Sequence, residues 1–298
     1  AAGVCSHQQR RLADEAGDHI GVQVGGGAAV LVVAALLHGH HAAHTDGAAA
    51  VGHAPREVVD AARLVLACIG QVFVQGGLLL VSGPKSADVV SAAFGVDVHT
   101  LPLLQTIPTT IGSHAALIMR TEETGEQDLE ILLPADGLSA AWSQLMTAGA
   151  PFGITPVGSQ ARELLRIEAG LPKAGPDLNE EIVPPEANLE GKAFSLSKGC
   201  YPGQEVVARM DTYGNVRRHL VGLTIPDQIV PPPGAKLFSG DREVGWVSSA
   251  VLSPQRKAAL AFAFPLRDFS APDTQLTVEV AGTRHQATVH ALPFYVRS

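Results

Sequence analysis

The chain has 298 residues, 46% of them hydrophobic and 17% charged, with a formal net charge of −8. This composition excludes a disordered chain, and the length allows two or three domains with sizeable cores. The acidic balance disfavours non-specific binding along a phosphate backbone, and the 3 cysteines (Cys5, Cys68 and Cys200) are too scattered for a disulfide framework or a Cys-x-x-Cys metal pair, which points to a reducing cytoplasm.

The first 72 residues contain no Phe, Trp or Tyr, and 7 of the 12 histidines fall by position 53. His38, His40, His41 and His44 form a cluster, but no acidic or cysteine ligand keeps regular spacing with them. They read as solvated loop histidines, and no metal is expected. The longest apolar run, Ala28 to Leu37, is too short to span a bilayer as a helix and reads as a buried strand or helix segment. Arg10 and Arg11 precede it, but Asp14, Glu15 and Asp18 intervene, unlike a secretory leader.

From Gly77 the pattern becomes orderly. Leu78 to Val81 predicts a buried strand, Ser82-Gly83-Pro84 a turn, and Ser86 to Phe94 a helix capped by Ser82 or Ser86. Ala115 to Arg120 and Leu129 to Leu133 predict two strands joined by a polar hairpin loop over 121–128. Pro134-Ala135-Asp136 then leads into a helix through Trp142 to Ala148, with Gly149 as its stop. Ser159 to Ala169 predicts an amphipathic helix with Ala161, Leu164, Leu165 and Ala169 near one face and Arg162, Glu163 and Arg166 pointing elsewhere. A connector rich in Pro and acidic residues follows, including Pro184-Pro185-Glu186.

The densest group of informative residues is Lys198-Gly199-Cys200-Tyr201-Pro202-Gly203-Gln204-Glu205. The glycines mark tight turns or close approaches of the backbone. A cation two residues from a thiol favours the thiolate, the form that attacks electrophiles or binds metal; a small cysteine in a turn is the plainer reading. Val206 to Arg209 continues as a helix or strand, Tyr213-Gly214-Asn215 turns, and Arg217, Arg218 and His219 form a basic patch. From about Leu220 the pattern is all-β. Leu220–Ile225, Val244–Val247, Lys257–Phe262, Gln275–Val280 and Gln286–His290 read as strands between Pro-Gly, Ser-Gly-Asp and Ala-Gly-Thr turns. Five or six such strands predict a small antiparallel barrel, with Phe294 and Tyr295 closing its core.

The octapeptide resembles the Lys-Gly-Cys-Tyr-x-Gly-Gln-Glu signature of the YgfZ family, folate-binding relatives of the glycine-cleavage T protein that act in iron–sulfur cluster assembly or repair. Arg166-Ile167-Glu168-Ala169-Gly170 resembles the T-protein Arg-Leu-Glu-Ala-Gly stretch, whose glutamate hydrogen-bonds the pterin of tetrahydrofolate. Gly245-Trp246-Val247-Ser248-Ser249 resembles the family's Gly-x-Val-Ser/Thr-Ser strand. The likeness is aligned here from about residue 77 to 298; the earlier part is either strongly diverged or altered, for example by a reading-frame error. The resemblance implies an α+β, multidomain T-protein (aminomethyltransferase-like) folate-binding fold with a C-terminal antiparallel β-barrel. Its parts would be residues 1–76, the N-terminal part of the folate-binding region; 77–217, the central α+β domain; and 218–298, the barrel.

By the same resemblance the cofactor is tetrahydrofolate, with Glu168 as its anchor and Glu186 at the rim. A carboxylate suits the pterin because two oxygens accept together from its amino and ring N–H donors. Cys200 is implied as the reactive or ligand-bearing residue and Lys198 as the group that orients it. Tyr201, Gln204, Glu205 and Arg209 are implied to bind the cofactor, so that the motif forms one wall of a folate pocket opposite Glu168. One thiolate cannot hold a common cluster alone, so Cys200 acts transiently or with a partner. The leading expectation is a cytoplasmic, monomeric folate-binding accessory protein for iron–sulfur enzymes or cluster carriers, without membrane contact. Two alternatives stand beside it. One is an aminomethyltransferase of the glycine-cleavage type, a tetrahydrofolate-dependent one-carbon transferase that uses an aspartate in its first domain. The other is a non-catalytic module binding protein or tRNA.

Overall fold

The computed structural model describes residues 30–36, 76–197, 199–201, 203–213 and 216–295, with backbone alone for 30–36 and 211–213. The histidine cluster, Cys5, Cys68, Lys198 and the Gly214-Asn215 turn lie outside the described residues. The chain divides into two compact units, one up to Ser159 except for residues 123–125, the other holding 123–125 and the chain from Gln160.

In the first unit, β1 (Val30–Leu36), β2 (Gly76–Ser82), β3 (Thr106–Ile111), β4 (His114–Thr121), β5 (Asp128–Pro134) and β6 (Ile154–Pro156) form a sheet in the order β3-β4-β5-β2-β1-β6. The apolar run near residue 30 is therefore a strand, antiparallel to β2 and parallel to β6. Helices α1 (Ser86–Phe94) and α2 (Leu138–Gly149) share a core with the sheet. Leu79 and Val81, two apart on β2, bring one strand face into that core, where Val89 and Val90 of α1 and Ala141 and Leu145 of α2 meet Ile118, Ile131 and Leu133. Each such Leu, Ile or Val stabilises the fold by about 1.5–3 kcal/mol relative to exposure.

Helix α1 spans the predicted residues and α2 ends at Gly149 as expected, but two predicted caps are corrected. Ser86 is the first residue of α1 and caps nothing; its hydroxyl donates to the Gln127 carbonyl at 2.7 Å, and Lys85 holds the cap position without a side-chain bond. Gly149 does not stop α2 by a left-handed turn, because its φ is −80°. It is the last residue of α2, where an added Cβ would sit 2.8 Å from Ile154, so close packing is what favours glycine there. The left-handed glycine comes later, at Gly153 with φ 80°.

The second unit contains α3 (Ser159–Glu168), the connector, α4 (Gln204–Tyr213) and a closed barrel of β7 (Val221–Ile225), β8 (Lys236–Ser239), β9 (Arg242–Ser253), β10 (Ala258–Ala263), β11 (Gln275–Val280) and β12 (Thr283–His290). The order is β10-β7-β12-β11-β8-β9, closed by β9 pairing with β10. Strand β10 shows how alternation serves two cores at once. Ala259, Ala261 and Ala263 fill the barrel interior with Leu223, Leu237 and Val289, while Leu260 and Phe262 join a second cluster with Phe264, Phe294 and Ile167 of α3. Small residues suit the narrow interior and large ones the outer face. The fold class is thus α+β with a six-stranded antiparallel barrel, as expected; β8 of the barrel and β3 and β6 of the sheet are strands that the sequence pattern did not reveal. Phe294 is buried in the second cluster, whereas Tyr295 is 41% exposed and does not close the core.

Candidate functional site

Helix α3 ends in a way that fixes Glu168. Gly170, at φ 73°, donates its N–H to the Ile167 carbonyl at 3.0 Å, and Leu171 donates to the Arg166 carbonyl at 2.9 Å. This pair of bonds is a Schellman motif, with Gly170 in the left-handed position that ends the helix. Glu168 is consequently the last residue of α3, and its carbonyl accepts from the Tyr295 N–H at 2.8 Å. Its half-buried carboxylate accepts from the Ser253 hydroxyl through Oε1 at 2.7 Å, leaving Oε2 without a partner among the described residues.

Two residues earlier stands Arg166, which the helical period places off the apolar face. It is 5% exposed and its guanidinium donates to Asp177 Oδ2 at 2.5 Å, to Ser249 Oγ at 2.8 Å, to the Leu171 carbonyl at 3.2 Å and to Glu163. It also lies 5.4 Å from the Phe262 ring centroid. Asp177 is fully buried and accepts further bonds from Ser248 Oγ at 2.5 Å, Ser249 Oγ at 2.7 Å and the Lys173 N–H at 3.0 Å. The carboxylate compensates the buried guanidinium, so α3, the connector and β9 are tied together at one point. Burial pushes the Glu163 carboxyl up, but the Arg166 hydrogen bond and charge, with Lys173, outweigh it and hold the group below its ordinary range.

Glu186 is buried, with Oε2 accepting from the Val183 N–H at 3.4 Å and its carbonyl accepting from the Leu220 N–H at 2.7 Å. Cys200 is a free, exposed thiol. Gly203 turns the chain at φ 85° into α4, where Gln204 reaches back through Oε1 to accept from the Tyr201 N–H at 3.1 Å. Gln204 is the first residue of α4 and its own N–H donates to the Tyr201 carbonyl at 3.2 Å, so this Gln closes the turn that leads into the helix. Glu205 sits in the first turn, favourably placed toward the helix dipole, and Arg209 is exposed one turn on. Among the described residues no hydrogen bond joins the motif to Glu168. Arg218, from the predicted basic patch, lies 4.7 Å from the Trp246 ring centroid. Its neighbour His219 titrates below the ordinary histidine range because burial disfavours its charged form and the Arg267 charge adds to this, with Glu186 opposing.

Sequence reasoning missed Ser253, Asp177 and the buried role of Arg166. The Ser-Ser pair at 248–249 was visible as a strand resemblance, but neither its partner Asp177 nor Ser253 carries a local signal.

The family model described as the GCVT N-terminal domain matches residues 29–196, and that of the glycine cleavage T-protein C-terminal barrel domain matches residues 218–295. The likeness therefore begins well before residue 77, where the sequence reading had placed its start. An aminomethyltransferase of Chlorobium limicola is 34% identical over 222 residues, covering 74% of this chain and 60% of that protein. One from Geobacillus sp. is 33% identical over 222 residues, with the same shares of 74% and 60%. The crystal structure of glycine cleavage system aminomethyltransferase T from Bartonella henselae superposes with a TM-score of 0.66 at 26% identity, covering 74% of this chain and 60% of that one. The chain thus spans about 60% of the length of these relatives.

Proposed function

Since the chain belongs to the glycine cleavage T-protein family, we propose that it takes part in tetrahydrofolate-dependent one-carbon transfer of the aminomethyltransferase type, with Glu168 holding the pterin. The relatives named aminomethyltransferase favour this reading over the iron–sulfur accessory role that the octapeptide alone suggests. The observation that carries it is the Glu168 carboxylate, anchored through Oε1 and without a partner at Oε2 among the described residues. The residues fit the group: a fixed carboxylate with free acceptor capacity matches a planar edge of N–H donors, and half-burial strengthens such bonds relative to open water. When bound, tetrahydrofolate supplies the nitrogen that accepts the one-carbon unit. The chain's own contribution is to bind and orient. Glu168 fixes the pterin edge, while Glu186, Tyr201, Gln204, Glu205 and Arg209 are proposed to shape the surrounding walls.

Titration of the pure protein with tetrahydrofolate tests this directly. Glu168→Ala is expected to weaken binding by tenfold or more, on the order of one or two charge-assisted hydrogen bonds. Unchanged binding in the variant removes Glu168 from the site. Turnover in the glycine-cleavage exchange assay with a lipoylated carrier protein tests the reaction itself.

A second reading has its own observation, the free and exposed Cys200 between two glycines of the octapeptide. In it the protein serves iron–sulfur enzymes or cluster carriers and Cys200 meets them transiently. Cys200→Ala is then expected to lower the activity of cluster enzymes in a deletion strain while leaving glycine-cleavage exchange intact.

A further inference from the structure

We infer that Ser253 is the positioning residue for Glu168, the side chain that decides which carboxylate oxygen faces a ligand; this deepens the folate reading above and rests on it. Ser253 ends β9 and is completely buried, although it carries a hydroxyl. Its Oγ accepts from the Arg256 N–H at 3.2 Å in the turn after the strand. The hydroxyl has one proton, and with an acceptor site already taken by Arg256 that proton goes to Glu168 Oε1 at 2.7 Å. The backbone turn thus sets the hydroxyl, and the hydroxyl sets the carboxylate.

The rest of the surroundings hold the same geometry from the other side. The Schellman turn at Gly170 fixes the end of α3, and the Tyr295 N–H fixes the Glu168 carbonyl. An added Cβ at Gly170 would lie 3.0 Å from Pro293 Cα, so the turn is seated against the chain just before Tyr295. With backbone and Oε1 both restrained, the freedom left to the side chain is small and Oε2 is presented in one direction. A carboxylate held this way is preorganised: a planar donor edge meets it without the cost of ordering a free Glu rotamer. Without the Ser253 proton the carboxylate keeps its charge but loses its aim.

The test is a double-mutant cycle on tetrahydrofolate binding, with Ser253→Ala, Glu168→Ala and both together, and Ser253→Thr as the variant that keeps the hydroxyl. Thermal melts check that each folds. Ser253→Ala is expected to weaken binding roughly tenfold, the scale of a hydrogen bond to a charged group. Ser253→Thr is expected to recover most of that loss, and Ser253→Ala is expected to add nothing once Glu168 is already Ala. A residue that merely supports the fold gives additive losses and no coupling. Losses that add in the double variant, or a Ser253→Ala protein that binds as well as wild type while Glu168→Ala does not, overturn the positioning role alone. If Glu168→Ala binds as tightly as wild type, the folate reading falls, and this inference with it.

Discussion

Asp177 receives the guanidinium of Arg166, the Lys173 N–H and the hydroxyls of Ser248 and Ser249, and none of its surface reaches solvent. A buried charge is tolerable when paired and costly when orphaned. Asp177→Ala is therefore expected to destabilise the protein by about 3 kcal/mol or more, because it takes the fully buried carboxylate from Arg166 and leaves the guanidinium only the part-exposed Glu163 as a charged partner. Chemical denaturation followed by fluorescence of Trp246 reads this directly, since Trp246 lies on the same strand as the two serines. Replacing Arg166 and Asp177 together by Met and Leu is expected to cost less than Asp177→Ala alone, since no charge is then left buried. A larger loss in the double variant would show that the bonds to the serines and the connector outweigh the desolvation cost. The helical period places Arg166 off the apolar face and gives no partner for it, because it counts faces and not partners. The partner lies 11 residues on, in a loop without period.

Among the elements, β9 is constrained at Gly245 by backbone on the neighbouring segment. An added Cβ at Gly245 would collide with the Phe264 carbonyl oxygen and lie 2.7 Å from Pro265 Cα, both backbone atoms that cannot swing aside. Gly245→Ala is expected to destabilise the barrel by roughly 1–3 kcal/mol. Gly199, in the octapeptide, has nothing within 4 Å of an added Cβ. Gly199→Ala is expected to leave stability within about 0.5 kcal/mol, so any loss of function in it is a loss at the site and not in the fold. Paired urea midpoints of the two variants separate these outcomes. The same contrast explains what was legible. Strands with clean two-residue alternation, such as β10 and β11, are visible in the sequence, as are the hairpin over 121–128 and the helix from Ser159. Strand β8 is not, because its Lys236-Leu237-Phe238-Ser239 segment is short and takes its place only through pairing with β9 and β11.

Across the whole molecule, two histidines in different units respond oppositely to pH. His99 is held by Asp88 at 3.0 Å and Asp97 at 2.9 Å, and these hydrogen bonds raise its pKa above the ordinary 6.5. A raised histidine contributes stability that is fully present below 6.5 and is lost as pH climbs through the folded value. His219, whose pKa is lowered chiefly by burial, does the reverse: its contribution is present above 6.5 and is lost as pH falls toward the folded value. His99→Gln is expected to melt below wild type at pH 5.5 and to approach it by pH 8.5. His219→Gln is expected to gain on wild type as the pH drops below 6.5. Parallel profiles for the two variants would contradict the opposed environments. Among the described residues no helix is long and apolar enough to cross a membrane.

The sequence by itself determined the α+β class, the barrel, the amphipathic helix that carries Glu168 and a likeness to the T-protein family carried by short motifs. These are local or periodic features, and neighbours along the chain suffice to produce them. Only the tertiary structure decided which charges are buried and how Glu168 is held. The Ser253 hydroxyl that aims it lies 85 residues away along the chain, and Arg166 and Asp177 meet the serines of β9 at separations of 83 and 71 residues. No period within a helix or strand spans such distances, so these contacts exist only once the barrel has closed and α3 has packed against it.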